Sequence, residues 1–235
     1  AFFVLILFFK RGRNMSVLGF INKLLFPTRC PFCNVVLGFV PKCAECSKAL
    51  VSIKHQSGEP IEKAQRELKF IDTALAVYEY KPPVKDAILR FKFANRTDLA
   101  KDFAKELFME LKACNTLPNF DIIIYVTSGK RELKNRGYDV PALLAKELSL
   151  FCNVRHAENA ICKPIDTKPQ MKLTKDMRKA NLLGAFSVAD PSKVIGANIL
   201  LVDDVITTGA TMNECAKTLL IAGAKSCSCI SVALA

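Results

Sequence analysis

The stretch Asn198-Ile-Leu-Leu-Val-Asp-Asp-Val-Ile-Thr-Thr-Gly-Ala-Thr-Met212 decides the fold of this chain. Its unbroken apolar run, residues 199–202, is typical of a central parallel strand that is buried on both faces. Asp203 and Asp204 then stand at the C-terminal end of that strand, where open α/β sheets bind their ligands. A Thr/Gly loop follows and opens a helix. This order predicts an α/β fold with a ligand site at the edge of its sheet.

The loop after the strand has the residues that a ribose phosphate requires. Gly209 can adopt backbone angles closed to other residues, so that successive N–H groups converge on a phosphate at a helix N-terminus. Thr207, Thr208 and Thr211 add hydroxyl donors, and the two acids can accept hydrogen bonds from sugar hydroxyls. The alternative is a buried strand, an acidic turn and an N-capped helix with no ligand.

This segment resembles the 5-phosphoribosyl-1-diphosphate (PRPP) signature of the type I phosphoribosyltransferases, in which an apolar run, two acids and two further residues precede Thr-Thr-Gly-x-Thr. The resemblance implies the fold of that family, a mostly parallel sheet flanked by helices. It also implies that Asp203 and Asp204 hold the ribose 2′- and 3′-hydroxyls and that the loop holds the 5′-phosphate. The phosphate-binding residues that it implies are Thr207, Thr208, Gly209, Ala210 and Thr211.

Four of the ten cysteines form a compact cluster. Cys30 and Cys33 make one Cys-x-x-Cys pair, and Cys43 and Cys46 make a second pair after nine intervening residues. Each pair can turn tightly enough to give two thiolates to one tetrahedral zinc, and a zinc with four thiolates is structural because no position stays open for water. Two redox pairs or a disulfide framework are the alternatives. The spread of the other cysteines through a long chain favours a reducing, cytoplasmic location.

Length and charge limit the classes of protein that this sequence can represent. A chain of 235 residues with 51% hydrophobic content can bury a sizeable core, which excludes disorder and predicts one α/β domain with a small appendage. The formal net charge of +12 indicates an anionic partner. A polyanionic small substrate, nucleic acid and anionic lipid all fit that charge.

The chain opens with an apolar run, residues 1–9, that a basic cluster follows. This run is far shorter than the roughly 20 residues that span a bilayer, and its basic residues are on the wrong side for a signal peptide. We therefore expect no transmembrane span and interpret residues 1–14 as an upstream extension that is not native, with a membrane-surface anchor as the alternative. The expected organisation continues with a helix and the four-cysteine zinc module in residues 15–52, a polar connection in residues 53–70 and a phosphoribosyltransferase-like domain in residues 71–235.

A second apolar strand, residues 121–126, leads into a basic run. We predict a loop over residues 127–136 at the C-terminal end of this strand. Its cations Lys130, Arg131, Lys134 and Arg136 could neutralise a diphosphate there. A solvated basic turn is the alternative, since long cationic side chains usually lie in solvent.

The remaining patterns predict structural helices and one long loop. Residues 71–80 indicate a strand or hairpin arm, and residues 84–93 and 99–111 predict amphipathic helices with structural roles. Residues 163–181 are basic and lack apolar periodicity, which indicates a loop. Loops of this length are usually functional, and a lid would exclude water from a reactive sugar. Its candidate residues are Lys163, Gln170 and Arg178, with an ordinary surface loop as the alternative.

Residues 15–235 resemble the ComF family of phosphoribosyltransferase-like proteins linked to bacterial competence. Motifs in family order carry this resemblance: the paired Cys-x-x-Cys module, Tyr80-Lys-Pro-Pro-Val84, Phe91-Lys-Phe93, Arg136-Gly-Tyr138, Thr167-Lys-Pro-Gln170, Arg178-Lys-Ala-Asn181 and Gly184-Ala-Phe186. It implies transfer of phosphoribosyl from PRPP with Mg²⁺ to an unknown nucleophile, with release of diphosphate and a link to DNA uptake. The alternative is a non-catalytic accessory protein that senses PRPP or binds DNA. Its partners would be single-stranded DNA or a DNA-uptake protein.

Three departures from the family pattern fall at proposed anion-binding positions. The chain has Tyr125-Val-Thr-Ser128 where Pro-Val-Pro-Leu is usual, and Asp139 where Asn is usual. Lys163 also replaces an Arg and cannot reproduce its bidentate fork. Asp139 adds negative charge, so it is expected to weaken anion binding unless it pairs with Arg136 or reaches Mg²⁺.

Overall fold

The computed structural model describes residues 27–38, 40–62, 68–115, 119–163 and 184–235. Four sequence predictions lie outside these ranges: the upstream extension, the helix before the cysteine cluster, and the lid residues Gln170 and Arg178. Among the helices of the described ranges, none is both long enough and apolar enough to cross a membrane.

Helices and strands alternate along much of the described chain. The helices are α1 Ala44–Ile53, α2 Val84–Phe93, α3 Leu99–Ala113, α4 Lys130–Arg136, α5 Val140–Cys152 and α6 Ala210–Ile221, with one 3₁₀ turn at Pro191–Lys193. The strands are β1 Ala74–Glu79, β2 Ile122–Tyr125, β3 Ile161–Cys162, β4 Ser187–Val188, β5 Asn198–Ile206 and β6 Ser226–Leu234.

The main sheet has the strand order β1-β6-β5-β2, and all of its pairs are parallel. Strand β5 is therefore internal, as its apolar run predicts. Its residues alternate between two cores: Leu200 and Val202 pack with α2, α3 and α5, whereas Ile199 and Leu201 pack on the face that α6 covers. The predicted α/β fold with a parallel sheet flanked by helices is confirmed. Strands β3 and β4 form a separate antiparallel pair.

The prediction that β5 ends before the two acids is wrong. The strand continues to Ile206 because β6 continues beside it, with Asp203 opposite Ser231 and Ile206 opposite Leu234. Strand β2 stops at Tyr125, opposite Val202. Both acids therefore lie in a segment of the sheet that projects beyond β2, and this step in the sheet edge opens the site.

The predicted helices α2 and α3 are confirmed, whereas the predicted basic loop is wrong over residues 130–136, which form α4. The Glu132 carboxylate accepts a hydrogen bond from the Gly129 N–H (3.1 Å) and caps the helix start. The helix ends where Gly137 adopts a left-handed conformation and donates its N–H to the Leu133 carbonyl. These end signals outweigh the lack of apolar periodicity between them.

The cysteine module packs directly on the main domain. Phe32 is buried and makes edge-to-face contacts with Tyr78 and Phe103, at 6.2 and 6.0 Å between ring centroids. The segment after α1 runs beside β1, where the His55 N–H donates to the Val77 carbonyl at 3.0 Å. The module and the main domain thus share one hydrophobic core.

Candidate functional site

A cleft of about 700 Å³ opens at the step in the sheet edge. Its size is in the range of about 300–1,000 Å³ that is usual for small-molecule sites. Its walls come from the projecting end of β5 and the loop after it, the loop after β2, helix α4 and the last turn of α2. The lining residues are Tyr80, Lys92, Val126, Thr127, Ser128, Gly129, Arg131, Glu132, Arg136, Pro141, Lys163, Asp203, Asp204, Val205, Ile206, Thr207, Gly209, Thr211 and Met212.

The Thr/Gly loop lines this cleft at the N-terminus of α6. Gly209 has φ +83°, the left-handed conformation that the sequence predicts. Thr208 supports the loop from within, because its Oγ1 accepts the Ala210 N–H at 3.3 Å. Thr207 and Thr211 line the cleft beside Gly209. A helix N-terminus with hydroxyl and amide donors on one surface can hold a phosphate.

The two carboxylates lie side by side beyond the end of β2. Asp203 Oδ1 accepts a hydrogen bond from the Asp204 N–H at 2.8 Å. The Asp204 side chain is only 7% exposed. Burial and the adjacent Asp204 charge raise the pKa of Asp203 well above its ordinary value. A buried carboxylate in this environment is stabilised when a ligand donates hydrogen bonds to it, as a sugar hydroxyl does.

Lys92 is a site residue that sequence reasoning missed. It projects from the last turn of α2 and forms an ion pair with Asp204 Oδ2. Burial acts to lower the pKa of Lys92, but the charges of Asp204 and Asp203 outweigh burial and raise it. The available signal in the sequence is the motif Phe91-Lys-Phe93, whose lysine the helical pattern places outside the apolar face of a structural helix.

The predicted cations divide into those that reach the cleft and two that do not. Arg131 and Arg136 line it from α4, whereas Lys130 and Lys134 are exposed on that helix and are not among the lining residues. The Arg136 guanidinium lies 5.5 Å from the centre of the Phe93 ring. Its Nε is buried and has no hydrogen-bond partner in the described part of the chain. Lys163 lines the cleft from the end of β3.

Asp139 has a structural partner at the cleft. Its carboxylate accepts hydrogen bonds from the Ser128 N–H at 3.1 Å and the Ser128 hydroxyl at 2.8 Å. Burial raises the pKa of Asp139 above its ordinary value, although these hydrogen bonds and Arg136 oppose that rise. Asp139 and Ser128 thus depart from the family pattern together, and the acid anchors the loop after β2.

The four predicted zinc ligands converge. The Sγ atoms of Cys30, Cys33, Cys43 and Cys46 all lie within 4.8 Å of one another. Cys33 Sγ and Cys43 Sγ are 3.6 Å apart, close to the separation of about 3.8 Å that Zn–S bonds of about 2.3 Å impose on a tetrahedron.

Backbone N–H groups donate hydrogen bonds to the Cys43 and Cys30 thiols of this cluster. The Cys46 N–H donates to Cys43 Sγ at 3.3 Å. Burial raises the pKa of Cys30, but backbone N–H groups of Cys43, Cys33 and Phe32 outweigh it and lower that pKa to about 7. All ten cysteines are free thiols, so the disulfide alternative is not what this structure has. The donor set fits a structural zinc.

Comparisons with known proteins agree with this architecture. Residues 157–235 match the phosphoribosyl transferase domain family. The chain is 33% identical to the DNA utilization protein YhgH of Escherichia coli O6:H1 (strain CFT073) over 153 residues, which are 64% of this chain and 66%, just under two thirds, of that protein. It is 28% identical to competence protein F of Haemophilus influenzae over 194 residues, 81% of this chain and 83% of that protein.

Among solved structures, the chain is similar to the glutamine PRPP amidotransferase from B. subtilis complexed with ADP and GMP. It is 18% identical and has a TM-score of 0.36, covering 57% of this chain and 25% of that chain. Four observations agree with one another: the domain match, the similarity to competence and DNA utilization proteins, the parallel sheet and the four-cysteine cluster. On these grounds the chain belongs to the ComF family, with a type I phosphoribosyltransferase-like fold and an N-terminal cluster of four cysteines.

Proposed function

We propose that this protein binds PRPP in the cleft at the end of β5 and transfers its phosphoribosyl group to a nucleophile, releasing diphosphate. One observation carries the proposal: a left-handed Gly209 loop at a helix N-terminus, two adjacent carboxylates and several cations line a single cleft. Each group matches one part of PRPP. Phosphate suits the loop, hydroxyl groups suit the acids, and diphosphate suits the cations.

In this proposal the 5′-phosphate binds at residues 207–211, and Asp203 and Asp204 accept hydrogen bonds from the ribose hydroxyls. Arg131, Arg136 and Lys163 bind the diphosphate. The buried Nε of Arg136 supports its role, since a buried N–H donor without a hydrogen-bond partner among the described residues is stabilised by an anion that accepts from it.

The reaction would break the bond between C1 of the ribose and the diphosphate oxygen and form a bond from C1 to the nucleophile, which then loses its proton. The transition state resembles an oxocarbenium ion, so stabilisation of charge matters most. Asp203 and Asp204 would orient the ribose beside the forming positive charge, and the cations would bind the negative charge on the departing diphosphate. Mg²⁺ accompanying PRPP would neutralise diphosphate charge, and carboxylate oxygens such as those of Asp203 suit it.

Zinc has a structural role in this proposal. Cys30, Cys33, Cys43 and Cys46 would close its coordination shell and fix the module on the main domain. The spread of the other six cysteines through a long chain supports a reducing, cytoplasmic location.

A non-catalytic accessory role in DNA uptake is the second candidate. The net charge of +12 and the names of the similar proteins, a DNA utilization protein and a competence protein, favour it. Binding to single-stranded DNA should weaken steeply with salt, with log K falling by about 0.7 per phosphate contact for each tenfold increase in salt. A salt-independent interaction would argue for contact with a DNA-uptake protein instead.

The deciding experiment is calorimetric titration of the zinc-loaded protein with PRPP and Mg²⁺. Micromolar binding by the wild type, about −8 kcal/mol, should disappear in the Asp203→Asn, Asp204→Asn double variant. Asp86→Asn, at an exposed position of α2 outside the cleft, is the matched control and should bind normally. Absence of wild-type binding would refute the proposal, and unchanged binding by a folded double variant would refute the site.

A further inference from the structure

The last turn of α2 contacts three different parts of the molecule through four consecutive residues. Arg90 reaches the cysteine module, and Phe91 lies in the shared core. Lys92 pairs with Asp204 in the cleft, and the Phe93 ring lies under the Arg136 guanidinium. This turn is a junction between the zinc module and the sugar-binding end of the cleft.

Arg90 holds the turn that carries the first cysteine pair. Its guanidinium donates to the Phe32 carbonyl and, at 3.4 Å, to the Pro31 carbonyl. These two carbonyls belong to the two residues between Cys30 and Cys33. The spacing of these two thiolates and the position of Arg90 are therefore parts of one arrangement.

Lys92 leaves α2 on another side, because residues two apart on a helix do not face each other. Movement at Arg90 can reach Lys92 only as movement of the whole turn. The turn is firmly held: Phe91 is fully buried and stacks on Phe103 at 6.0 Å, and its carbonyl accepts the Tyr138 hydroxyl. Packed interiors shift between discrete arrangements and deform little, so the turn transmits displacement well.

We propose that Arg90 is a positioning residue that couples the cysteine module to the sugar site, acting through Lys92 and Asp204. Zinc fixes the carbonyls that Arg90 binds, Arg90 fixes the turn, and the turn places Lys92 against Asp204. Zinc binding and PRPP binding then strengthen each other. This inference rests on the proposed PRPP function.

Linkage makes the coupling measurable from either ligand, because PRPP must strengthen zinc binding by the same factor by which zinc strengthens PRPP binding. Zinc affinity of the full chain is measured by chelator competition, with and without saturating PRPP and Mg²⁺. PRPP affinity of the zinc-loaded protein is measured separately by calorimetry. We expect PRPP to raise zinc affinity of the wild type by about 5-fold or more, the lower end of usual coupling factors.

Three variants and a control locate the coupling. Arg90→Met should still bind both ligands, but the coupling factor should fall towards one, and Arg90→Lys should restore it in part. Lys92→Met alters the other end of the turn, contacts no cysteine in the described structure and should lose the factor too. Lys105→Met, on the exposed side of α3, should keep the wild-type factor.

Each outcome is decisive. Wild-type protein that binds no PRPP refutes the proposed function and this inference together. Wild-type protein that binds PRPP while its zinc affinity stays unchanged refutes the inference alone. A full coupling factor in Arg90→Met, or in Lys92→Met if the first variant does not fold, overturns the role assigned to this turn.

Discussion

Lys92→Met tests the ion pair that joins α2 to the cleft. The substitution removes the charge and keeps a side chain of similar length. The side chains of Lys92 and Asp204 are 24% and 7% exposed, so the pair is largely withdrawn from water. Removing the lysine leaves Asp204 buried beside Asp203 without its counter-ion.

Breaking a buried ion pair from one side costs about 3–5 kcal/mol of unfolding free energy. Because Lys92 keeps some contact with water, we expect the lower end, about 3 kcal/mol. In a chain of this size that loss lowers the melting temperature by roughly 6–12 °C. Replacing both charges is often close to neutral, so Lys92→Met combined with Asp204→Asn should lie within about 1 kcal/mol of wild type.

The assay is urea unfolding of the zinc-loaded protein at neutral pH, followed by far-ultraviolet circular dichroism. Lys105→Met is the control for loss of a surface lysine and should change stability by no more than about 0.5 kcal/mol. A double-mutant cycle of wild type, Lys92→Met, Asp204→Asn and the double variant gives the interaction energy of the two side chains, because the two residues are in contact. The reasoning fails if Lys92→Met matches the control, or if the double variant is as unstable as the two single variants added together.

Three further changes test other parts of the structure. Asp203→Asn should stabilise the protein at neutral pH. The folded state raises the pKa of Asp203 and so binds its proton more tightly than the unfolded chain does, which means that the stability of the wild type falls as pH rises from the unfolded to the folded pKa. Urea unfolding should show that the gain disappears near about pH 4, and a gain that persists there contradicts this cause. Gly209→Ala should lower the free energy of unfolding, measured by thermal unfolding, by about 1–2 kcal/mol, because φ at Gly209 is +83°. Gly38→Ala, with open space around it, should change stability little. Equal losses in the two variants would contradict the argument. Cys33→Ser should lower the zinc content, measured by metal analysis, from about one atom per chain to well below one. Cys152→Ser, outside the cluster, should keep the wild-type zinc content. Full zinc in Cys33→Ser would refute the ligand set.

The parts of this structure that the sequence predicts well are local in the chain. Gly209 and the threonines around it lie within five residues, and each Cys-x-x-Cys pair lies within four. Their geometry follows from short-range backbone chemistry, which a sequence pattern records directly. The same holds for β5, whose apolar run requires burial on both faces.

The parts that the sequence does not predict depend on partners distant in the chain. Nothing near Lys92 in the sequence indicates that it meets Asp204, because α2 and β5 are brought together by packing of the core between them. The continuation of β5 to Ile206 likewise depends on β6, which pairs with it to Leu234. The sequence does not predict helix α4 for another reason. Its signals, Glu132 and Gly137, lie only at its ends, and its highly charged middle suggests a loop.

Asp139 shows how a departure from a family pattern can be compatible with the proposed binding site. Taken alone, an acid beside an anion site weakens binding by repulsion. Here both of its oxygens accept hydrogen bonds from Ser128, which is itself a departure in the same loop. Hydrogen bonds to a carboxylate reduce the effective charge that it presents to a neighbouring ligand, and they also fix the Ser128 backbone at the cleft wall. The paired change therefore exchanges one way of holding this loop for another, and the cations Arg131 and Arg136 still line the cleft beside it.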